Sequence, residues 1–533
     1  LPAGWSGPAY QSDVSACLNY TGNLPPPTKF FAFSRLPEQD LKLMENTAIT
    51  GSAALAYPDV QLLIDNVWRP ASSGLRSPVH NPATGQQIGS FAHAGEVDIG
   101  LVLEASARGF EVWKKVSAFE RCKLMRQAAS LLRERVETIA TLLTIEQGKP
   151  IVEARTETLA CADLIDWFAE EGRRAYGRII PPRGPAIRQS VTKEPVGPVA
   201  AFTPWNFPIS QLTRKLAAAL AAGCSIVIKA AEETPASPAA LIQTFLDAGL
   251  PPGVIGLLLG TPSEISSRLI AHPTIRKVTF TGSTPVGKQL ASLAGLHMKK
   301  TTMELGGHAP VFIMKDADLN RAASVMAASK FRNAGQVCVA PTRFLVEQPV
   351  YEEFVDLFAK AAGSIKVGNG LDPQTGMGPL ANGRRLEAVQ SLVQDATQRG
   401  ARLIAGGKRI GNEGHFFEPT VLADVPVEAR AMNEEPFGPV ALLVPMESLD
   451  DMLDEAARLD FGLAAYGFTR SAASAARIAD EVASGMLSMN HAGLALPEVP
   501  FGGVNDSGYG TEGGADALES YLNTKFVTHL QVD

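Results

Sequence analysis

Between residues 196 and 307 the chain reads "VGPVAAFTP" (196–204), "SIVIK" (225–229), "VIGLLLG" (254–260), "RKVTFTG" (276–282) and "KKTTMELGG" (299–307). These short runs, rich in β-branched and aliphatic residues, alternate with Ala/Leu-rich stretches long enough for helices. Such alternation predicts βαβ units around a parallel sheet. After residue 306 a second set follows: "PVFIM", "RFLVE", "ARLIAGG", "VALLV", "AAYGFT" and "LSMN", separated by helical stretches at 350–364 and 381–399. A second α/β unit is therefore expected. Upstream, residues 97–148 carry apolar residues at three- and four-residue spacing and stop at Gly148-Lys149-Pro150, the pattern of amphipathic helices. Two segments fit neither unit: "AIRQSVTKEPVG" (186–197), which alternates like a strand, and the C-terminal "LESYLNTKFVTHLQVD" (518–533). Strands in such positions can pair with another subunit.

The remaining properties bound the function. At 533 residues the chain exceeds one hydrophobic core, and 45% hydrophobic with 19% charged residues is ordinary for a globular enzyme. A net charge of −7 gives no reason to expect nucleic acid. The longest uncharged apolar run, "LAAALAAGCSIVI" (216–228), falls short of the roughly 20 residues needed to cross a bilayer, so no membrane span is expected. Five scattered cysteines (17, 122, 161, 224, 338), without a Cys/His cluster at metal-ligand spacing, read as reduced thiols of a cytoplasmic protein with no metal site. Residues 1–57, rich in Pro, Ser and Gly, read as an extension of unknown role; the sequon at Asn19 lies within it.

Several short motifs carry chemistry. In "FRNAGQVCVAPTR" (331–343), Cys338 is a candidate nucleophile, a role that needs electropositive surroundings or a nearby base. Read alone, such a cysteine is more often a small structural residue. "AFTPWNFPIS" (201–210) follows a strand, and its prolines and aromatics stiffen a turn in which Asn206 offers an amide to a developing oxyanion. "MELGGHAP" (303–310) sets Glu304 at a strand end before a Gly-Gly turn, where a carboxylate serves as a general base; its structural alternative is a solvated strand end. "FTGSTPVGK" (280–288) places Gly282, Ser283 and Gly287 at the start of a helix whose N-terminus suits a diphosphate. "IVIKAAEETP" (226–235) offers Lys229 and Glu232 to a ribose, and Glu232 would repel a 2′-phosphate, favouring NAD over NADP. "NEEPFGPV" (433–440) offers Glu435 and Phe437 to a second ribose, or is simply an acidic turn.

Taken in this order, the motifs resemble the aldehyde dehydrogenase superfamily from about residue 60 to the C-terminus. The resemblance implies a Rossmann-type cofactor domain (58–183 and 199–305), an α/β catalytic domain (306–516) and a small β oligomerisation element (184–198 and 517–533). It implies that Cys338 attacks the aldehyde, that Asn206 and the Cys338 backbone N–H hold the oxyanion, and that Glu304 activates the water that releases the acid. Thr203, Pro204, Trp205, Lys229, Glu232, Gly282, Ser283, Gly287 and Leu305 would bind NAD, with Glu435 and Phe437 around its nicotinamide ribose. A homodimer or homotetramer is implied. Within the superfamily the motifs are most similar to the succinate-semialdehyde dehydrogenase branch and its semialdehyde and lactaldehyde relatives, in which arginines matching Arg214 and Arg332 bind a distal carboxylate, a pairing suited to the guanidinium fork. Both could instead be helix-surface charges.

There are departures from that branch. Where some of these enzymes have a serine before "PFGG", this chain has Ala495, Leu496 and Pro497, with His491 nearby. Ala340 stands where some relatives carry a second cysteine, and His308 where lysine or asparagine is common; a histidine in that turn reads as structural. The rival readings are a coenzyme-A-acylating dehydrogenase, against which Glu304 argues, and a non-catalytic paralogue that binds dinucleotide.

Overall fold

The computed structural model describes residues 57–531. The expectations for residues 1–56, including Cys17 and Asn19, lie outside the described residues. The helical region predicted at 97–148 resolves into Glu96–Trp113, Ala118–Glu134 and Val136–Gln147, the last closed by Gly148 in a left-handed conformation (φ 97°). That positive φ is why glycine ends this helix.

Eight strands form the first sheet, in the order Val67–Arg69, Leu62–Ile64, Ile255–Leu258, Ile226–Lys229, Val199–Phe202, Lys277–Thr281, Lys300–Glu304 and Gly508–Tyr509. The five central strands are parallel. Numbered along the chain they run 3-2-1-4-5, so the winding reverses between Val199–Phe202 and Lys277–Thr281. A doubly wound sheet binds its ligand at the crevice beyond the carboxyl ends flanking such a reversal. Thr203 and Gly282-Ser283 follow those two strands directly. At the edges, an antiparallel hairpin at 62–69 covers one side, and Gly508–Tyr509, from far along the chain, pairs antiparallel with Glu304 and Met303 on the other.

The second sheet has seven strands in the order Arg402–Ala405, Thr420–Ala423, Val440–Met446, Pro341–Glu347, Ala309–Ile313, Ala464–Phe468 and Met486–Met489, all parallel except the first. Two main cores go with the two sheets: one drawn from residues 60–305 and 517–522, the other from 309–501. The two segments that fitted neither unit pair with each other. Leu522–Leu530 runs antiparallel to Ile187–Pro195 over nine residue pairs, with Arg178–Ile180 as a third strand. Leu522–Leu530 is an edge of this sheet, and eight of its nine residues are exposed.

One helix positions much of the site. Pro208–Ala222 starts with Pro208 in its first turn and ends at Gly223, again left-handed (φ 93°). It is buried on every side, as expected for a helix with little polar surface. Arg214 and Lys215 are nevertheless carried inside it. Buried cations must find anionic or hydrogen-bonding partners.

Candidate active site

Cys338 sits on a loop whose backbone is unusual. The helix Leu319–Phe331 ends, and Asn333, Ala334 and Gly335 all adopt positive φ (49°, 53° and 69°) before the chain turns toward Pro341–Glu347. A Cβ on Gly335 would lie 2.1 Å from the Gly438 carbonyl oxygen, so only glycine fits. Strain of this kind persists only where surrounding bonds enforce it. Here Asn333 Nδ2 donates to the Asn206 carbonyl (2.9 Å), Gln336 Nε2 to the Asn333 carbonyl (3.0 Å), the Ala381 N–H to Gln336 Oε1 (2.9 Å), and Asn206 Nδ2 to the Gln336 carbonyl (3.0 Å). The "FRNAGQ" and "PWNFP" motifs are thus one knot of hydrogen bonds. Asn206 is buried; its Oδ1 has no partner, and one N–H of its amide remains beyond the bond to Gln336.

Glu304 is no solvated strand end. It is 1% exposed, and neither carboxylate oxygen has a hydrogen-bond partner among the described residues. Burial pushes its carboxyl well above the usual range, Glu512 adds to the rise, and Lys215 and Arg214 partly offset it. Glu512 and Lys215 form a buried ion pair; Lys215 Nζ also donates to Thr281 Oγ1 (2.6 Å), and Thr279 Oγ1 donates to Glu512 Oε1 (2.9 Å). The Cys338 thiol is pushed up to about 12 by burial first, then by Glu435 and Glu304, with Arg214 pulling the other way. The surroundings therefore keep the sulfur protonated at neutral pH. Ionising it requires a base or an added positive charge.

The cofactor candidates gather at the winding reversal. Phe202 is in register with Lys229 on one side and Phe280 on the other. Lys229 pairs with Glu232, which is half-buried. Thr203 is buried and its Oγ1 has no partner. Ser283 occupies the N-cap of Thr284–Leu296 without a side-chain capping bond, so its hydroxyl and the helix N–H groups remain available. A Cβ on Gly287 would lie 2.2 Å from Leu305, and one on Gly306 would lie 2.5 Å from the Glu435 carboxylate. Trp205 meets the Phe437 ring edge-on at 5.5 Å, and Pro204, next to it, is half-buried. Glu435 accepts from the Gly307 N–H (3.2 Å), and a Cβ on Gly307 would lie 2.5 Å from the Cys338 carbonyl oxygen. A row of close contacts thus runs from the helix N-terminus to the sulfur-bearing residue. The unpartnered Thr203 hydroxyl, the free N-cap and the glycine approaches fit a dinucleotide diphosphate.

A cavity of about 290 Å³ opens beside Cys338, lined also by Arg214, Arg332, Phe207, Phe501, Ala495 and Pro497 among others. Arg214 is buried, stacks on Phe501 (4.4 Å) and donates to the Glu512 carbonyl, which removes it from the helix surface. Arg332 is exposed and lies over Phe207 at 5.2 Å. Among the described residues neither arginine has a carboxylate within ion-pair distance. Two carboxylates also line the cavity: Glu157 is paired with Lys149 (2.5 Å), and Glu153 accepts from the Asn333 N–H (3.0 Å) and is pushed up to about 7, chiefly by burial. Asn206 and Glu304 do not line the cavity, but each adjoins it: Asn206 precedes Phe207, and Glu304 lies against Gly502, next to Phe501. His491 bonds the Gly493 N–H and does not line it; His308 is buried between Thr342 and the Ala431 carbonyl, a structural placement. Of the three residues before "PFGG", Ala495 and Pro497 face the cavity and Leu496 does not.

Sequence reasoning missed Lys215, Gln211, Arg385 and Glu512. Gln211 and Lys215 were readable as polar residues within a helix otherwise apolar enough to be buried. Arg385, which donates to the Pro436 and Phe437 carbonyls (2.6 and 3.1 Å) and so holds the Glu435 turn, had no local signal.

Residues 68–527 match the model of the aldehyde dehydrogenase family. A 4-(hydroxymethyl)benzenesulfonate dehydrogenase of Comamonas testosteroni is 50% identical over 90% of this chain and 100% of its own length. A 3-sulfolactaldehyde dehydrogenase of Pseudomonas putida is 43% identical, covering 89% of this chain and 97% of that one. The crystal structure of a succinate-semialdehyde dehydrogenase from Burkholderia pseudomallei superposes with a TM-score of 0.88 at 39% identity, covering 90% and 100% of the two chains. The chain therefore belongs to the aldehyde dehydrogenase family, and is an NAD(P)-dependent oxidoreductase acting on an aldehyde group.

Proposed function

We propose that this enzyme oxidises small aldehydes carrying an anionic group at the far end, with Cys338 as nucleophile and Arg214 and Arg332 as the anion site. The observation that carries the reading is that Cys338 shares one cavity with two guanidiniums that lack carboxylate partners. Succinate semialdehyde and 2-oxoglutarate semialdehyde fall within the class; lactaldehyde and glycolaldehyde, which carry a hydroxyl and no charge, are the alternative substrates. Sulfonated aldehydes fall within it too: one relative is named for a sulfonated aldehyde and another for a hydroxymethyl benzenesulfonate. The apolar wall of Phe207, Phe501, Ala495 and Pro497 favours a ring or alkyl body between the two ends.

In this mechanism the Cys338 thiol gives its proton to a water in the cavity as its sulfur adds to the carbonyl carbon, and the second N–H of Asn206 and the Cys338 backbone N–H stabilise the oxyanion; the thiolate released at the end takes a proton back. Bound NAD(P) supplies the hydride acceptor. Loss of hydride leaves a thioester on Cys338, and Glu304, unpartnered and with its pKa raised, takes a proton from the attacking water. Lys229, Glu232, Ser283, Gly282, Gly287, Leu305 and the Thr203-Pro204-Trp205 turn hold the adenosine and diphosphate end, with Glu435 and Phe437 at the nicotinamide ribose. We assign residues 58–183 and 199–305 to the cofactor domain, 306–516 to the catalytic domain, and 184–198 with 517–533 to an oligomerisation element whose exposed edge strand suits a homodimer or homotetramer. Free thiols at Cys122, Cys161, Cys224 and Cys338 accord with a cytoplasmic location.

Two measurements test the reading. Arg332→Ala raises KM for anionic aldehydes about 10-fold, while KM for neutral aldehydes of the same size changes little; equal changes would remove Arg332 from the site. Glu232→Ser improves kcat/KM for NADP relative to NAD by at least about 10-fold, because a carboxylate no longer faces the 2′-phosphate. An unchanged ratio would remove Glu232 from the ribose site, and with it the preference for NAD.

A further inference from the structure

Gln211 lies on the face of Pro208–Ala222 that looks into the cavity, one turn before Arg214, with Phe207 and Ser210 beside it. It is 5% exposed, yet its side-chain amide makes no hydrogen bond among the described residues: Oε1 is a buried atom without a partner, and the Nε2 N–H groups, the donors that an anion requires, are unbonded and not among the fully buried atoms. An unpaired amide in a dry wall costs free energy, which a methionine or leucine of similar volume would avoid. Its neighbours at three- and four-residue spacing are Phe207, Pro208, Arg214 and Lys215, and the polar side chains among them bond elsewhere: Arg214 to the Glu512 carbonyl, Lys215 to Glu512 and Thr281. The side chain is therefore matched to something that enters the cavity.

We propose that Gln211 is a specificity-determining residue whose amide bonds the distal anionic group of the substrate, so that Gln211, Arg214 and Arg332 together favour a tetrahedral sulfonate over a planar carboxylate. The inference rests on the anion site proposed above. A carboxylate has two oxygens in one plane, and a single guanidinium fork satisfies both. A sulfonate has three oxygens pointing in three directions. Here the donors come from different positions around the cavity: Gln211 and Arg214 from successive turns of one helix, and Arg332 from the loop after Leu319–Phe331. Arg214 already gives one N–H to the Glu512 carbonyl and stacks on Phe501, which limits its freedom to turn its fork toward a lone carboxylate. The third donor, at Gln211, is the one a carboxylate leaves unused. Of the two carboxylates lining the cavity, Glu157 is matched by Lys149, and Glu153, which accepts from the Asn333 N–H and feels the Arg332 charge, is pushed up to about 7 chiefly by burial and makes no ion pair with either guanidinium.

The test uses three aldehydes with one skeleton, benzaldehyde, 4-carboxybenzaldehyde and 4-sulfobenzaldehyde, and reads kcat/KM from reduced-cofactor absorbance. Wild type prefers the sulfonate. Gln211→Met lowers kcat/KM for 4-sulfobenzaldehyde about 10-fold or more, lowers it less than about 3-fold for the carboxylate, and leaves benzaldehyde unchanged. Gln211→Glu, which keeps the shape and adds a negative charge, suppresses both anionic substrates but not benzaldehyde. A parallel loss on all three aldehydes, or an unchanged ratio of sulfonate to carboxylate, overturns the proposal. Arg332→Ala on the same panel separates the two levels. If it erases the preference for charged over neutral aldehydes while Gln211→Met leaves the sulfonate ratio intact, the role of Gln211 falls alone. If neither variant alters discrimination by charge, the anion site falls with it.

Discussion

Replacing Cys338 by serine lowers kcat for aldehyde oxidation by at least about 10⁴-fold, the order of loss that follows removal of a covalent nucleophile. Two physical effects act together. An alcohol is a far weaker nucleophile at neutral pH than a thiol activated by a base, and an oxygen ester is slower to hydrolyse than a thioester. Dinucleotide binding, measured by quenching of protein fluorescence, stays near its wild-type value, because the crevice at the winding reversal is built from other residues. The wild-type protein has a matching signature. With its thiol pushed up to about 12, chiefly by burial and then by Glu435 and Glu304, Cys338 in the free enzyme reacts slowly with iodoacetamide at neutral pH and faster as pH rises. Full turnover in the serine variant, or failure to trap an acylated Cys338 by mass spectrometry, would remove the sulfur from the reaction.

Glu304→Gln separates the two halves of the reaction. The variant still forms the thioester, so rapid mixing yields a burst of reduced cofactor approaching one equivalent per site. Steady turnover is then slower by about 10²–10⁴-fold, the range for loss of a general base. The pH dependence follows from the direction of the shift. The Glu304 carboxyl is held well above the usual range, mainly by burial and also by Glu512, so it carries a proton at low pH and becomes a base as pH rises. The steady-state rate of the wild type therefore climbs with pH through the raised pKa, and that limb disappears in Glu304→Gln. Loss of the burst along with turnover would assign Glu304 to the first half of the reaction instead.

Much of the site was readable from one-dimensional patterns because its chemistry sits on short, rigid signals. The strand ends at Phe202, Lys229, Thr281 and Glu304 were marked by hydrophobic runs that stop at polar or glycine residues, and a parallel sheet aligns such ends. The Asn-Ala-Gly turn before Cys338 was visible as a motif, although its three consecutive left-handed residues were not. What was misjudged, or left open, depended on burial. Glu304 read as a possible solvated end and Arg214 as a possible surface charge, since a charged letter in the sequence carries no record of whether water reaches it; both are buried. The two strand-like segments outside the main sheets were each recognised, but their pairing with one another joins residues more than 300 positions apart, beyond any local signal.

The sequence by itself determined the alternation that builds two α/β units and the order of the candidate nucleophile, amide, carboxylate and phosphate-binding motifs, whose resemblance to the aldehyde dehydrogenase superfamily implied the class of reaction. Those features depend on local periodicity and on residue chemistry, which are written in consecutive positions. Only the tertiary structure decided which charges share a dielectric. It joined Lys215 to Glu512 beside Glu304, set two unpaired arginines and an unpaired amide around the cavity at Cys338, and closed an edge of the first sheet with residues 508–509. These outcomes depend on contacts between distant segments, where burial sets the strength of every electrostatic interaction.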